Sequence, residues 1–304
     1  MILSYHNPVL LSESLRLLNL RPDGVYIDAT FGGGGHSVGI LAELGSSGRL
    51  YAFDQDPDAK QNLPEDSRLT FVASNFGLLA DYIKFYQIQE IDGVLADLGV
   101  SSHQFDTAER GFSIRHEGPL DMRMNPNNNL TAADVLNNYT EDRLAGIFWQ
   151  YSEISQSKKL ASAIEAKRKL SSFSTISDLI DVASRFCRSL DRNQFLSRVF
   201  QALRMEVNQE ILALKQLLSV SASVLSPGGR IVVISYHSGE DRLVKNFFNS
   251  GNFEGRLDKD LYGNIQRPLN PILRKPIIPD EQEIRKNPRA RSAKLRVAEK
   301  TRIV

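Results

Sequence analysis

The chain has 304 residues, 41% of them apolar and 24% charged, and its formal net charge is +1. Such a composition belongs to a globular protein of one large domain or two modest ones, and excludes collagen-like, disordered and disulfide-rich classes. With so little net charge, attraction to nucleic acid has to come from local clustering. The single cysteine, Cys187, excludes an internal disulfide and suits a reducing compartment. It follows an apolar helical stripe and reads as a packed thiol. No apolar run reaches the ~18–20 residues that cross a bilayer. Met1-Ile-Leu-Ser-Tyr-His6 lacks the basic-then-apolar order of a signal peptide, so a cytoplasmic protein is expected.

In chain order, a short helix, Ser12–Leu18, which Ser12 could cap, is expected after His6-Asn-Pro-Val-Leu-Leu11. Val25–Ala29 reads as a buried strand that runs into four glycines, 32–35, and then a helix from about Val38 with Ser37 near its start. Further strands are expected at Arg49–Asp54, Leu69–Ala73 and Ile91–Asp97, with helical stretches between them. That alternation implies a parallel sheet covered by helices on both faces. The rhythm breaks after Leu98. Residues 105–130, rich in Gly, Pro, Asn and charge, read as an ordered loop or active-site cover, and 131–200 as helices. Thr131, Thr140 and either Ser174 or Thr175 are the expected N-caps. The core is expected to resume near 200. A long helix striped by Ile211, Leu214, Leu218, Ala222 and Leu225 should end at Pro227-Gly-Gly229. Arg230–Ser235 reads as a fifth strand, 268–279 as holding a sixth, and Ala293–Ala298 as an edge strand. The expected organisation is therefore a core of 1–104 with 201–304, interrupted by an insertion over 105–200.

Strand, glycine turn and helix N-terminus form the ligand-holding unit of an open α/β sheet, because glycine permits positive φ and unpaired helix N–H groups face the ligand. No G-x-G-x-x-G register fits, since the last position falls on Ser37 or Val38, and no Gly-Lys-Ser/Thr follows. The other strand ends supply Asp54, Phe76, Asp97 with Ser101 and Ser102, and His237. Asp54 lies ~20 residues past the glycines, where an acid can accept from ribose hydroxyls; the alternative is a turn-forming Asp before Asp56-Pro57. Phe76 could stack beside an adenine or belong to the core. Asp97 could accept from an exocyclic N–H and so direct a nitrogen lone pair at an electrophile, as methyl transfer from a sulfonium requires. His237 reads either as a substrate contact or as a structural histidine. No zinc spacing and no G-x-S-x-G elbow appear, so neither a metal nor a serine hydrolase is expected.

Two basic clusters bear on partners. Residues 285–302 carry Arg285, Lys286, Arg289, Arg291, Lys294, Arg296, Lys300 and Arg302 against one acid, Glu299; a second cluster is Arg185, Arg188, Arg192, Arg198 and Arg204. Such local charge suits a surface that holds phosphates.

Seven stretches in one order carry a family resemblance: Tyr26–Ser37, Asp97-Leu-Gly-Val-Ser-Ser102, Glu109–Ser113, Gly118–Met124, Phe200-Gln-Ala-Leu-Arg204, Ile234–Ser238 with Glu240–Arg242, and Asn287–Ser292. They resemble the RsmH (MraW) family of S-adenosylmethionine-dependent cytosine-N4 methyltransferases of small-subunit ribosomal RNA. The resemblance spans His6 to Glu299. It implies a Rossmann-like class I methyltransferase with a mostly parallel seven-stranded sheet and an inserted α-helical domain. It implies S-adenosyl-L-methionine held by Gly34, Gly35, His36, Asp54, Phe76, Asp97 and Gln104; His36 and Gln104 enter on this ground alone. The implied substrate is a cytidine of the decoding region, in small-subunit ribosomal RNA or the assembled small subunit, with the helical insertion and basic tail holding RNA. Asp97, Ser101, Ser102 and His237 would orient the target amine, and Asp97 has two candidate roles, cofactor and amine. The sequence departs from the family at Ser152-Glu-Ile-Ser155, in place of a Gly-Glu-Glu run, and at Gly239 in His237–Asp241, where relatives carry leucine. Whether the protein forms a homodimer is open.

Overall fold

The computed structural model describes residues 8–301. Its helices and strands are, in chain order, α1 (Leu11–Leu18), β1 (Val25–Asp28), α2 (Gly35–Glu43), β2 (Arg49–Phe53), β3 (Leu69–Val72), α3 (Leu79–Phe85), β4 (Ile91–Asp97), α4 (Ser102–Asp106), α5 (Ala132–Asn138), α6 (Glu141–Ser152), α7 (Ser157–Arg168), α8 (Ile176–Ala183), α9 (Arg192–Val207), α10 (Glu210–Val224), β5 (Leu225–Ser235), α11 (Ser238–Ser250), β6 (Leu269–Pro271), α12 (Glu281–Lys286) and β7 (Lys294–Lys300). The chain divides into two compact units, Met1–Gly99 with Ile211–Val304, and Val100–Glu210. The divisions expected from sequence, after 104 and after 200, fall elsewhere; α9 runs on to Val207 inside the second unit.

The first unit is one seven-stranded sheet in the order β3-β2-β1-β4-β5-β7-β6. The pairs from β3 to β5 are parallel, and β7 runs antiparallel to both β5 and β6. This order and its single reversed strand are those of the class I methyltransferase fold. Apolar strand residues alternate between two cores, as a pleat with both faces covered demands. Ile27, Val94, Ile231 and Val233 pack with Leu214, Leu218, Val244 and Phe248 on one face. Tyr26, Leu95, Val232 and Ile234 pack with Leu17, Leu18, Ile40 and Leu41 on the other.

Three expectations are corrected here. Lys294–Lys300 is not an edge strand: it lies between β5 and β6, and Leu295, Val297 and Ala298 are buried. Its lysine and arginine side chains look solvated in sequence but are taken up by the fold, Lys294 and Arg296 by Asp241 and Lys300 by the carbonyl of Ala222. Ser12 does not cap α1, whose N-cap position is Leu10 at φ 52° with no side-chain cap. Pro227-Gly228-Gly229 does not follow a helix ending at Leu225; α10 stops at Val224, and the three residues form a register shift within β5, between the pairs Ile91↔Leu225 and Gly93↔Arg230.

The second unit has its own core, in which Leu136, Leu144, Phe148, Leu160, Leu179 and Leu203 are fully buried. Threonines cap its helices as expected. Thr131 forms a capping box with Asp134, Thr140 accepts from the Arg143 N–H, and Thr175 rather than Ser174 forms the box with Asp178. The stretch over 105–130 is ordered by buried Asn208, which accepts from the Met124 N–H at 2.7 Å and donates to the Met122 and Arg204 carbonyls.

Candidate functional site

Strand order reverses direction between β1 and β4, where an open α/β sheet leaves a crevice at its carboxyl ends. Three carboxylates stand at that end: Asp28 closes β1, Asp54 follows β2 and Asp97 closes β4. Asp28 lies beneath the glycine turn, fully buried, accepting from the Ser37 hydroxyl at 2.7 Å and the Thr30 N–H at 3.1 Å. It thereby ties α2 to β1. Asp54 takes the Gly32 N–H at 2.7 Å on Oδ2 and the Asp56 N–H at 2.8 Å on Oδ1. Both sequence readings of Asp54 thus meet in one side chain, which makes the turn and also holds the glycine loop. Each oxygen keeps further acceptor capacity.

The glycine turn is built as a cradle. Gly32 and Gly34 have φ of 51° and 78°, and a Cβ on Gly32 or Gly33 would enter open space. The Asn62 amide donates to the Gly32 carbonyl at 3.1 Å and holds the loop from β2's side. Gly35 has a different reason to lack a side chain: its Cβ would come within 2.3 Å of Pro8 Cγ. That close approach seats residues 8–10 against α2, where the Leu10 N–H donates to Glu283 Oε1 at 2.7 Å. His6, Asn7 and Arg302 lie outside the described residues.

His36, on the first turn of α2, is buried. Its Nε2 is 3.1 Å from the Val9 carbonyl and its Nδ1 is 3.9 Å from Asp97 Oδ2. Burial holds its pKa below the ordinary histidine value, against the pull of Asp97 and Val9. A carbonyl only accepts, so the neutral ring carries its hydrogen on Nε2 and turns a bare Nδ1 toward Asp97. Asp97 has a side chain 22% exposed. Its N–H donates to the Thr30 hydroxyl at 2.6 Å, and its Oδ1 accepts from the Tyr236 hydroxyl at 2.8 Å. Burial pushes the pKa values of Asp28, Asp54 and Asp97 to about 6, and hydrogen bonds oppose the rise in all three. Charge is therefore costly at this end of the sheet unless a donor or cation answers it.

The other expected residues fall as follows. Phe76 opens the turn after β3 and, like Tyr82 and Ile83, is half-buried against the core that holds Phe53, Val72 and Leu79. His237 is the N-cap residue of α11, just past β5, and the Glu240 carboxylate accepts the N–H of Tyr236 and of His237 at 3.2 and 3.3 Å. Gly34, Gly35, His36, Asp54, Phe76, Asp97 and His237 thus all belong to the first unit, and Ser101, Ser102 and Gln104 to the second. There Ser101 N-caps α4, accepting the Gln104 N–H at 3.2 Å, and buried Gln104 returns Oε1 to the Ser101 N–H at 3.1 Å. Ser102 is the first residue of that helix. Sequence reasoning missed Asp28, Thr30 and Tyr236. Asp28 had a local signal, an acid at the end of an apolar strand before the glycines; Tyr236, 139 positions from Asp97, had none.

The arginine cluster of the second unit also divides. Arg198 donates to the Ser152 and Glu153 carbonyls and Arg204 pairs with Glu210 at 2.7 Å, while Arg185, Arg188 and Arg192 are exposed. Among the described residues no group of three or more His, Cys, Asp or Glu could hold a metal, and no helix is long and apolar enough to cross a membrane.

The family model described as the MraW methylase family matches residues 3–301. Ribosomal RNA small subunit methyltransferase H of Parabacteroides distasonis is 54% identical over 297 residues, covering 97% of each chain. The protein of the same name from Bacteroides thetaiotaomicron is 53% identical over 299 residues, covering 98% of each. That from Christiangramia forsetii is 50% identical over 299 residues, covering 98% of this chain and 99% of its own.

Proposed function

Because the chain belongs to the MraW methylase family and is a methyltransferase, we propose that it methylates the exocyclic N4 amine of a cytidine in the decoding region of small-subunit ribosomal RNA. S-adenosyl-L-methionine would supply the methyl group, its sulfonium leaving as a neutral thioether. The residues at the sheet's carboxyl ends fit that molecule. Gly32 and Gly33 offer an open cradle beside the N-terminus of α2. Asp54, with acceptor capacity remaining on both oxygens, suits a ribose diol, and half-buried Phe76 suits the edge of an adenine. His36 would contribute to the same pocket. Gly34 and Gly35 would contribute backbone N–H groups, and Gln104 would complete the set that the family implies.

The observation that carries the chemistry is the Asp97 carboxylate, held on one oxygen by Tyr236 and open on the other. An acceptor there would take an N–H of the target amine and turn the nitrogen lone pair toward the methyl carbon. Orientation of this kind supplies much of the rate of a displacement. As the N–C bond forms, the S–C pair goes to sulfur and the amine proton leaves to water. Ser101, Ser102 and His237 would further orient the base. The target would be unstacked to reach the site, since its amine is otherwise paired and stacked. RNA would be held by the second unit and by basic residues, in a cytoplasmic enzyme acting on small-subunit RNA or the assembled subunit. Carbon methylation would need a cysteine nucleophile; the Cys187 thiol donates to the Ser184 carbonyl at 3.3 Å in a half-buried setting.

The test is to incubate the protein with methyl-labelled S-adenosylmethionine and unmodified small subunits and to digest the RNA to nucleosides. Label in N4-methylcytidine is the expected result. Label in 5-methylcytidine, or in protein or small molecules alone, would overturn the reading.

A further inference from the structure

Asp97 has two oxygens in different situations. Oδ1 accepts from the Tyr236 hydroxyl at 2.8 Å, whereas no donor among the described residues reaches Oδ2, and His36 Nδ1 stands off at 3.9 Å. Neutral His36 cannot donate there, because its hydrogen is engaged with the Val9 carbonyl. The Asp97 N–H donates to the Thr30 hydroxyl, which fixes the backbone from which the carboxylate projects. Tyr236 comes from the adjacent strand end and reaches across to β4. Gly99, at φ 107°, makes the turn after β4 in a conformation that side-chain-bearing residues rarely adopt. A hydroxyl that both orients a carboxylate and stabilises its charge is a specific device. It selects which oxygen stays available and keeps the acid ionised in a site that penalises charge.

We propose that Tyr236 is a positioning residue for the methyl transfer: its hydroxyl commits Oδ1 of Asp97 and thereby presents Oδ2 as the acceptor for the target amine. This rests on the function proposed above. Tyr236 touches neither donor nor base in this role; it acts through Asp97. The groups that bear on Asp97 electrostatically are His36 of α2, Asp28 of β1, Tyr236 after β5 and Glu283 of α12, and the hydroxyl is the one hydrogen-bond donor to the carboxylate among them. Burial in turn keeps Tyr236 protonated, raising its pKa well above the ordinary tyrosine value, with Asp97 adding to the rise. The hydroxyl is therefore a donor throughout the working pH range.

Tyr236→Phe removes that hydroxyl and keeps the ring. In the full-length protein, S-adenosylmethionine affinity by calorimetry should be unchanged. Single-turnover methylation of unmodified small subunits should fall roughly 10- to 100-fold, the equivalent of one hydrogen bond to a charged group. Its acid limb should move to higher pH, because a carboxylate without its donor protonates more readily. The protonation midpoint of Asp97, followed by carboxyl carbon NMR and assigned with Asp97→Asn, should rise in Tyr236→Phe by the same amount. An unchanged rate profile, an unchanged midpoint, or an affinity loss equal to the rate loss would each overturn the assignment. Wild-type protein that leaves cytidine N4 unlabelled would remove the proposed function, and the NMR midpoint would then decide by itself whether Tyr236 governs Asp97.

Discussion

Asp54 Oδ2 accepts the Gly32 N–H at 2.7 Å, so the tip of β2 holds the glycine turn that follows β1. Two neighbouring strand ends are thereby fixed relative to one another before any ligand arrives. Asp54→Ala removes this tie together with the acceptor offered to a ribose. It is expected to weaken S-adenosylmethionine binding at least roughly tenfold and to cost about 1–3 kcal/mol of stability, the range for leaving a donor unpaired. Calorimetry and urea unfolding measure the two effects separately.

Gly33 and Gly35 should separate ligand binding from stability. A Cβ on Gly33 enters open space, so Gly33→Ala should fold with stability within about 1 kcal/mol of wild type. It should nevertheless lose cofactor affinity, because the methyl occupies the cradle. Gly35→Ala drives a Cβ to 2.3 Å from Pro8 Cγ and should cost about 1–3 kcal/mol through overpacking. Thermal melts with and without S-adenosylmethionine distinguish the two. Equal behaviour of both variants would show that the turn does not face ligand.

Burial raises the Asp28 pKa from 3.8 to about 6. A carboxyl group with a raised native pKa binds more protons folded than unfolded between those values. Its contribution to stability is thus complete below pH 3.8 and lost as pH climbs through about 6. Asp28→Asn removes this dependence, so the stability difference between variant and wild type should shift in the variant's favour across that window. The change is on the order of 3 kcal/mol for a fully buried group. Denaturant unfolding at pH 4, 5, 6 and 7 reads it, and a flat difference would contradict the burial of an ionising Asp28. Asp241 runs the other way. Its partners Arg296 and Lys294 hold its carboxyl below the usual range, so its contribution fades only in acid.

Asp241 takes Arg296 through both oxygens, at 2.6 and 3.2 Å, with Lys294 at 3.4 Å. Asp241→Ala leaves a guanidinium that is 12% exposed without its counter-charge. A loss of about 3 kcal/mol is expected by urea unfolding, whereas joint replacement by Asp241→Leu and Arg296→Met should recover most of it. Because both cations are structural, Lys294→Ala should leave RNA affinity unchanged. A large affinity loss would return the strand to the RNA surface.

Strands β1 to β4 were legible because each is an apolar run bounded by turn residues and, in three cases, closed or followed by an acid. The interior place of β7 was not legible. Lys294, Arg296 and Lys300 alternate with Leu295 and Val297 as on a solvated edge, and what neutralises them comes from α11 and α10. The arginine cluster misled for the same reason: Arg198 and Arg204 find carbonyls and a carboxylate that sequence spacing does not connect. At the site, Asp54 and Asp97 were readable from their positions at strand ends. Tyr236 was hidden, because a hydroxyl's reach across a sheet leaves no mark on neighbouring residues. Capping threonines were read correctly, since a cap is a local interaction of three or four residues.

The placement of β7 between β5 and β6 also dictates an order of assembly. While the polypeptide emerges from a ribosome, β4 has β1 on one side and nothing on the other until residues past 225 are made. The continuous stretch Val100–Glu210 is complete well before then and can collapse on its own apolar centre. The strand that seals β5, Lys294–Lys300, comes later still, after β6. The second row of hydrogen bonds along β5 therefore closes only after α11, α12 and β6 have been passed, so the middle of this sheet depends on pairings distant in sequence, which form slowly.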